Sequence, residues 1–413
     1  MEVHRTERIW LGPNTQIGQL CHLSKNLFNE ANYLVRQEFL KTGRWIRFNE
    51  LRSTLKNSSN FKGLPAQTAQ ETLRIVHFSW KNYFSTSKDY KINPTKYLSV
   101  PRFPKYKEKN GEFILVFSNQ QVRIKNGIFK LPKGILEVKT RLSDETKFTG
   151  AKLIPMGVGY ELEIIYKKEV KLKEEDAKET NEKEPPSRVL GNDLGLENLI
   201  AMTSNIGAPP IVFKGGPIKS INQYYNKKKA ELQSQYAKQG IKTGHKLQKL
   251  TLKRNRKIDC YFHLVSRLLI WYCLMLDIDT IVLGRNKDWK QGIRLKKRNN
   301  QNFVFVPYYR LLHMIRYKAE EAGIKVIEVE EDYTSKCSFL DRESIGYHEE
   351  YKGKRIKRGL FRTAQGVLIN ADVNGAFNHI RNAVPNALDE FMEKFMADGI
   401  EGVRIHPVRA VLD

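Results

Sequence analysis

Two aspartates stand where a carboxylate could hold a metal ion. Asp193 lies in GNDLGLENLIA, at the end of an apolar run that reads as a strand, and Asp372 lies in INADVNGAFNHI, at the start of a helical pattern. A third acidic group, Glu330-Glu331-Asp332, closes the run KVIEVEE. Carboxylates that converge from several strand ends supply the hard oxygen ligands that Mg²⁺ prefers, and ions held in that way can hydrolyse phosphodiesters. No Cys or His spacing near them suggests a softer metal. Alternation in KVIEVEE puts Ile327 and Val329 on one face and Glu328 and Glu330 on the other, which leaves Glu331 at the strand end, free to turn. Each acid also has a plainer reading: a turn residue for Asp193, a helix N-cap for Asp372 and a solvated strand end for the glutamates.

The elements that must position these groups belong to a large folded chain. At 413 residues, 40% hydrophobic and 10% aromatic, the sequence can form two or three domains with a sizeable core. Its 71 Lys and Arg against 45 Asp and Glu give a net charge of +26, which suits a protein that neutralises many phosphates. A basic ribosomal or membrane-surface protein is the bland alternative. No apolar run approaches the ~20 residues of a membrane span, and MEVHRTERIWLGPN lacks the pattern of a secretory signal, so an intracellular, cytoplasmic chain is expected. Cys21, Cys260, Cys273 and Cys337 form no CxxC pair, which argues against a disulfide framework and against a cysteine-rich zinc site. Cys260 and Cys273 lie in apolar helical sequence and are expected in the core.

Apolar residues vanish over KKEVKLKEEDAKETNEKEPPSR, which marks a charged linker at 171–188. Before it, residues 15–92 carry helical spacing. The texture then changes to short alternating runs, EFILVF, VRIKNGIFKL with an Asn126-Gly127 hairpin signal, and YELEIIY, which predict a small sheet or barrel over 93–170. After the linker, RVLGNDLGL and LIAMTS read as paired strands, 218–277 as almost wholly helical, TIVLG and KVIEVEE as strands, and YYRLLHMIRYKAEEAG and DVNGAFNHIRNAV as helices. That order is the order of an RNase H-like sheet. Residues 384–413 read as a tail, a short amphipathic helix followed by a loose end.

GNDLGL, KLQKLTLKRNRKIDCYFHLVSRLL, RYKAEEAGIKVIEVEEDYTSKCSFLD and GKRIKRGLF leading into INADVNGAFN, in this order, resemble TnpB, the RNA-guided nuclease of IS200/IS605-type insertion sequences and relative of type V CRISPR effectors. LCHLSKNLFNEANYLVRQEF and PKYKEK extend the resemblance into the first half. It implies a multidomain α+β protein: a helical recognition domain (15–92) inserted in a wedge β-barrel (1–14 and 93–170), then an RNase H-like α/β RuvC domain (189–383). A target-nucleic-acid-binding insertion would occupy about 337–367. Asp193 and Asp372 match the first and last RuvC catalytic acids and would ligate two Mg²⁺ ions, with Mn²⁺ as the alternative. The implied partners are a guide RNA and a double-stranded DNA target with a short adjacent motif.

The sequence departs from that family twice. Gly284, in DTIVLGRNKDW, stands where the second catalytic acid belongs, so either the enzyme is dead or the acid has moved. If KVIEVEE lies beside TIVLG, a glutamate at its end reaches the same ions from one strand over, ~4.8 Å away. Glu331 is the first choice and Glu330 the second. The family's two zinc-binding cysteine pairs fall here on Ser338 and Asp341 and on Thr363 and Gly366, so no zinc is expected and GYHEEYKGKRIKRGLF should be a metal-free hairpin. Its Lys352, Lys354, Arg355, Lys357 and Arg358 can face DNA phosphates. Lys246, Lys249, Lys253, Arg254, Arg256 and Lys257 recur at helical spacing and suit a helix laid along a nucleic-acid backbone, although a solvated face would look the same. Arg294, Lys296, Lys297 and Arg298 follow Gly284 in a loop, and Lys105, Tyr106 and Lys107 mix aromatics with cations as RNA-binding segments do. The expected activity is RNA-guided DNA cleavage at a single site. The rival is a nuclease-dead, RNA-guided DNA-binding regulator, and a DNA-only transposase is a weaker third reading.

Overall fold

The computed structural model describes residues 2–170, 187–285, 306–399 and 405–410. They form two compact units, Glu2–Glu169 and the residues from Val170 onward, and both mix helices with strands. Most of the charged linker lies outside the described residues.

The first unit opens with β1 (Glu2–Leu11), followed by helices α1 (Thr15–Thr42), α2 (Phe48–Leu55), α3 (Ser59–Lys62) and α4 (Ala66–Ile92). Asn14 starts α1 by accepting the Ile17 N–H, and Gly43, at φ 71°, ends it in the left-handed conformation. The stripe Ile17, Cys21, Phe28, Ala31 and Val35 is buried against α4, where Trp80 donates its indole N–H to Asn32 at 2.8 Å. Strands β2 (Leu115–Ser118), β3 (Arg123–Lys125), β4 (Ile128–Lys130), β5 (Glu137–Lys139), β6 (Phe148–Pro155) and β7 (Tyr160–Glu169) follow. The β3–β4 turn is the expected Asn126-Gly127, with φ of 55° and 69°. β1 pairs antiparallel with β7 from Glu2 opposite Glu169 to Leu11 opposite Tyr160, so the four helices interrupt a sheet. The strands expected in a barrel pair as two sheets, in the orders β1-β7-β6-β2 and β3-β4-β5.

The second unit runs β8 (Val189–Leu194), β9 (Asn198–Ser204), β10 (Ile211–Lys214), α5 (Gly216–Lys238), α6 (His245–Met275), β11 (Thr280–Arg285), α7 (Tyr308–Glu321) and β12 (Lys325–Glu330). It continues with β13 (Lys354–Lys357), β14 (Leu360–Arg362), β15 (Leu368–Asn370), α8 (Ala371–Ala383), α9 (Asp389–Asp398) and β16 (Val408–Ala410). Its main sheet has the order β12-β11-β8-β9-β10-β16, with β8, β11 and β12 parallel. Alternate residues serve the two faces. Leu190, Ile281 and Leu283 pack with Phe262, Leu269, Leu311 and Ile315 of α6 and α7, while Val189 and Val282 pack with Phe377, Ile380 and Phe391 of α8 and α9.

Three expectations are corrected here. The tail is not wholly loose, because Val408–Ala410 pairs parallel with β10 and satisfies an otherwise open sheet edge. Helix α6 contains a stretch long and apolar enough to cross a membrane by composition alone, because its inner face, Phe262, Val265, Leu269 and Cys273, is core. Cys260 is exposed while Cys273 is buried, because position 260 points away from the stripe made by Ile258 and Phe262.

Candidate active site

The three parallel strands end together. The β8–β11 register runs to Asn192 opposite Leu283, which brings Asp193 and Gly284 to the same level. Helix α8 lies directly on β8: a Cβ on Gly191 would meet the Ala376 carbonyl oxygen at 2.3 Å and Ile380 Cγ1 at 2.6 Å, so only glycine permits this approach. The N-terminus of α8 is thereby carried to the end of β8. Asn370 caps it, its side chain accepting the N–H groups of Asp372 (3.0 Å) and Val373 (3.2 Å). Because Asn370 does the capping, the Asp372 carboxylate is available elsewhere. Its Oδ2 accepts from Asn198 at 2.8 Å and its Oδ1 from Arg355 at 3.0 Å.

Strand β12 lies beside β11 as expected, with Gly284 opposite Val329 and Arg285 opposite Glu330. Glu331, one residue beyond, turns into the space that a side chain at position 284 would fill. A Cβ on Gly284 would meet Glu331 Oε1 at 2.6 Å, Glu331 Cγ at 2.9 Å and His379 Cε1 at 2.5 Å. Ligand atoms of Asp193, Glu331 and His379 all lie within 4.8 Å of one another. Glu330 is exposed on β12 and is not brought into this group, because alternation sends it off the site, and Glu328 pairs with Arg285 (3.0 Å) and Arg316. Of the two glutamates read from the sequence, Glu331 is the one that lies beside Asp193.

The electrostatics are those of crowded, poorly hydrated acids. Burial first, and then the charges of Asp372 and Glu331, push the Asp193 carboxyl well above its ordinary range, against a lowering by Arg355. Burial, assisted by Asp332, raises Glu331 from 4.5 to about 7. Glu331 Oε1 is buried without a hydrogen-bond partner among the described residues. An orphaned buried carboxylate oxygen facing a second carboxylate is costly unless a cation completes it. The oxygen donor set therefore fits a hard divalent ion.

Several side chains that serve this site escaped the sequence reading. His379, fully buried, is within hydrogen-bond distance of the Asn192 carbonyl through Nδ1 (2.7 Å) and of Thr334 Oγ1 through Nε2 (3.1 Å). Burial lowers it to about 4, so it is neutral and its Nδ1–H donates to Asn192. Asn374 and Asn378 donate to the Cys337 carbonyl at 2.9 and 2.8 Å, and Asn378 also to that of Thr334 at 2.8 Å. These bonds tie the turn after Glu331 to α8. A signal was present in NGAFNHI, where polar residues at positions 374, 378 and 379 share a helix with buried apolar ones.

In the insertion, Asp341 Oδ2 accepts from Ser338 Oγ at 2.5 Å and from the Ala364 N–H at 2.8 Å, and Thr363 and Val367 bond each other at 3.0 and 3.1 Å. Glu343 accepts the N–H groups of Ser338 and Lys352, both at 2.7 Å. This donor set does not fit a structural zinc, and hydrogen bonds join the segments instead. β13 and β14 form the expected basic hairpin, extended by β15. Arg355 is committed to Asp372, and Arg358 lies 3.3 Å from Glu197. Along α6, Lys246, Lys249, Lys253, Arg256 and Lys257 are exposed. Arg254 is instead turned inward onto Asn222 (2.9 and 2.7 Å) and clasps α5 to α6. In the first unit Lys105 and Tyr106 are exposed, and the Lys107 ammonium lies over the Phe28 and Phe113 rings at 4.8 and 4.7 Å. Arg294, Lys296, Lys297 and Arg298 lie outside the described residues.

Comparison with known proteins joins this architecture to a class. The family described as Probable transposase (OrfB_IS605) matches residues 164–290, and the family described as Cas12f1-like, TNB domain, matches 308–379. Residues 164–290 thus resemble OrfB_IS605 proteins, and a stretch similar to the Cas12f1-like domain follows in order. Along nearly its whole length the chain is similar to a TnpB-like protein. It is 28% identical over 448 aligned residues to TnpB-like protein ORF457 of Acidianus two-tailed virus, covering 98% of this chain and 92% of that one. It is 29% identical over 229 residues to the CRISPR-associated endodeoxyribonuclease Cas12f1 of Sulfoacidibacillus thermotolerans, covering 52% of this chain and 48% of that protein. A Cas12f1–sgRNA–target DNA complex solved by cryo-electron microscopy contains a similar fold, with a TM-score of 0.53 at 14% identity, over 88% of this chain and 81% of that one.

Proposed function

We propose that this protein is an RNA-guided DNA endonuclease whose single RuvC-type site is built from Asp193, Glu331 and Asp372. The observation that carries this reading is the exchange at Gly284: the volume denied to a side chain there is taken by the carboxylate of Glu331, beside Asp193. Guide RNA and a double-stranded DNA target are the partners, by likeness to Cas12f1 and in keeping with a charge of +26. In this reading 15–92 is the recognition domain, 1–14 with 93–170 the wedge, and 189–383 the RuvC domain with its insertion at 337–367.

Asp193, Glu331 and Asp372 would hold two divalent ions, Mg²⁺ by preference, which when bound would activate water and neutralise charge on the phosphate. Asn198 holds the Asp372 carboxylate by one oxygen, and Arg355 balances it by the other. Glu331, at about 7, must give up its proton to serve as a ligand. His379 holds the Asn192 carbonyl and so anchors the strand end that carries Asp193. Arg355, on the basic hairpin, is the cation positioned to meet a phosphate that enters beside Asp372.

The test is to purify the chain with its RNA, sequence that RNA, and offer a matched duplex in Mg²⁺. Guided cleavage is expected. Guided binding without any cleavage would instead make the chain a nuclease-dead regulator, and absence of copurifying RNA would remove the guided reading.

A further inference from the structure

A cleft of about 310 Å³ opens next to the acids, between the far edge of the main sheet and the β13–β14 turn. It shares two side chains with the site. Asn198, in its wall, donates to Asp372, and Asn370, also in its wall, caps α8 two residues before Asp372. Its remaining walls differ in character from the acid site. Lys214 and Arg409 are cations, His406 offers a ring, and Leu360 and Pro407 are apolar, while no carboxylate belongs to the lining among the described residues. The parallel pairing of β16 with β10, Val212 opposite Arg409, brings Arg409 and His406 here.

We propose that this cleft receives the nucleotide flanking the scissile phosphate on the strand being cut, its base between His406 and the Leu360–Pro407 side and its phosphate on Lys214 and Arg409. A strand whose phosphate lies at Asp372 must continue in both directions, and on this side its path leads past Asn198 and Asn370 into the cleft. The volume is at the lower end of small-molecule sites and suits one nucleoside. Cations position a phosphate, amides meet base edges, and flat or apolar side chains stack on a base of any identity. The inference rests on the nuclease reading above.

Gly359, in the cleft wall, provides a probe, because a Cβ built there meets nothing within 4 Å and a larger side chain is accommodated. Gly359→Leu and the double variant Lys214→Ala, Arg409→Ala are compared with the unmodified protein as guide-loaded complexes. Single-turnover cleavage at saturating DNA should fall at least ~10-fold in each, a readout that weakened binding alone does not move. With Ca²⁺ in place of Mg²⁺, a target strand carrying 5-iodouracil beside the cut position should crosslink to peptide 405–410, and Gly359→Leu should abolish that crosslink. Cleavage at the unmodified rate by both variants would overturn the cleft and leave the nuclease reading intact. If the unmodified protein does not cut at all, the nuclease reading fails and the cleft inference, which rests on it, fails with it; cutting without the crosslink overturns the cleft alone.

Discussion

The acid site and the insertion at 337–367 each lack residues that the family resemblance leads one to expect, and they make good the loss in opposite ways. At the acid site, in the reading proposed above, the chemistry is held and the position moves: the Glu331 carboxylate, from the neighbouring strand, lies in the volume left open at Gly284. In the insertion the positions are held and the chemistry changes, with Asp341 joining Ser338 to Ala364 through hydrogen bonds where a metal would have joined cysteines. A metal site that performs hydrolysis needs charge at one point in space and is indifferent to which strand supplies it. A cross-link that only holds two loops together needs a bridge, and a carboxylate with two donors is enough.

The largest expected effect lies at the acids that have not moved. Asp193→Ala and Asp372→Ala should each lower guided cleavage by at least ~10³-fold while target binding in a gel-shift assay stays near the unmodified level, since ligands are removed and phosphate contacts are not. Full cutting by either variant in Mg²⁺ would remove that residue from the site. Glu331, the acid proposed to have moved, comes next. Glu331→Gln should cost several orders of magnitude in single-turnover rate, and Glu330→Gln almost nothing, because only Glu331 lies beside Asp193. Wild-type cutting by the double Glu330→Gln, Glu331→Gln variant would refute migration. The packing sharpens the rescue experiment: a side chain at 284 collides with Glu331 and also with the buried His379 ring, whose Cε1 a Cβ there would meet at 2.5 Å, so Gly284→Glu should not restore activity in Glu331→Gln.

Smaller effects follow from titration and from the bridge. Glu331 titrates at about 7 when folded against 4.5 when free, so between those values the metal-free native state keeps a proton that the unfolded chain has lost. Stability therefore falls as pH rises through this window, by at most ~3 kcal/mol. The Tm of chelator-treated protein should slope downward there, and Glu331→Gln should flatten part of the slope, Asp193 supplying the rest. An upward slope would contradict the burial of these acids. In the insertion, Asp341→Asn should cost about 1–3 kcal/mol and speed amide exchange within 337–367, with little change in metal-dependent rate. A zinc chelator should leave the unmodified protein folded, and stoichiometric zinc by elemental analysis would overturn the bridge.

The order of elements in the second unit was legible because period-2 and period-3.6 runs alternate cleanly from Val189 to Ala383, and the acids could be placed because each stands at an end of such a run. Glu331 was also within reach, since alternation left it the one glutamate of the pair with a free direction. His379, Asn198 and Thr334 were not, because each acts through a partner 45 or more residues away, which no local pattern encodes. The same reason hid the inward turn of Arg254, indistinguishable in sequence from its exposed neighbours until Asn222 of the adjacent helix is in place. Residues 408–410 read as loose because three residues carry too little pattern to be called a strand, and what makes them one is the waiting edge of β10.

The pairing of β1 with β7 along its whole length sets a schedule for the newborn chain. The first strand leaves the ribosome and then waits, through the synthesis of four helices and five further strands, for the partner that completes its ladder, an interval on the order of ten seconds. During that time the helices can form from local contacts, but the sheet they interrupt closes only when residue 169 has emerged, and such long-range closure is intrinsically slow. The alternating charges of β1, with Arg5, Glu7 and Arg8 among its apolar residues, keep the waiting strand in solution.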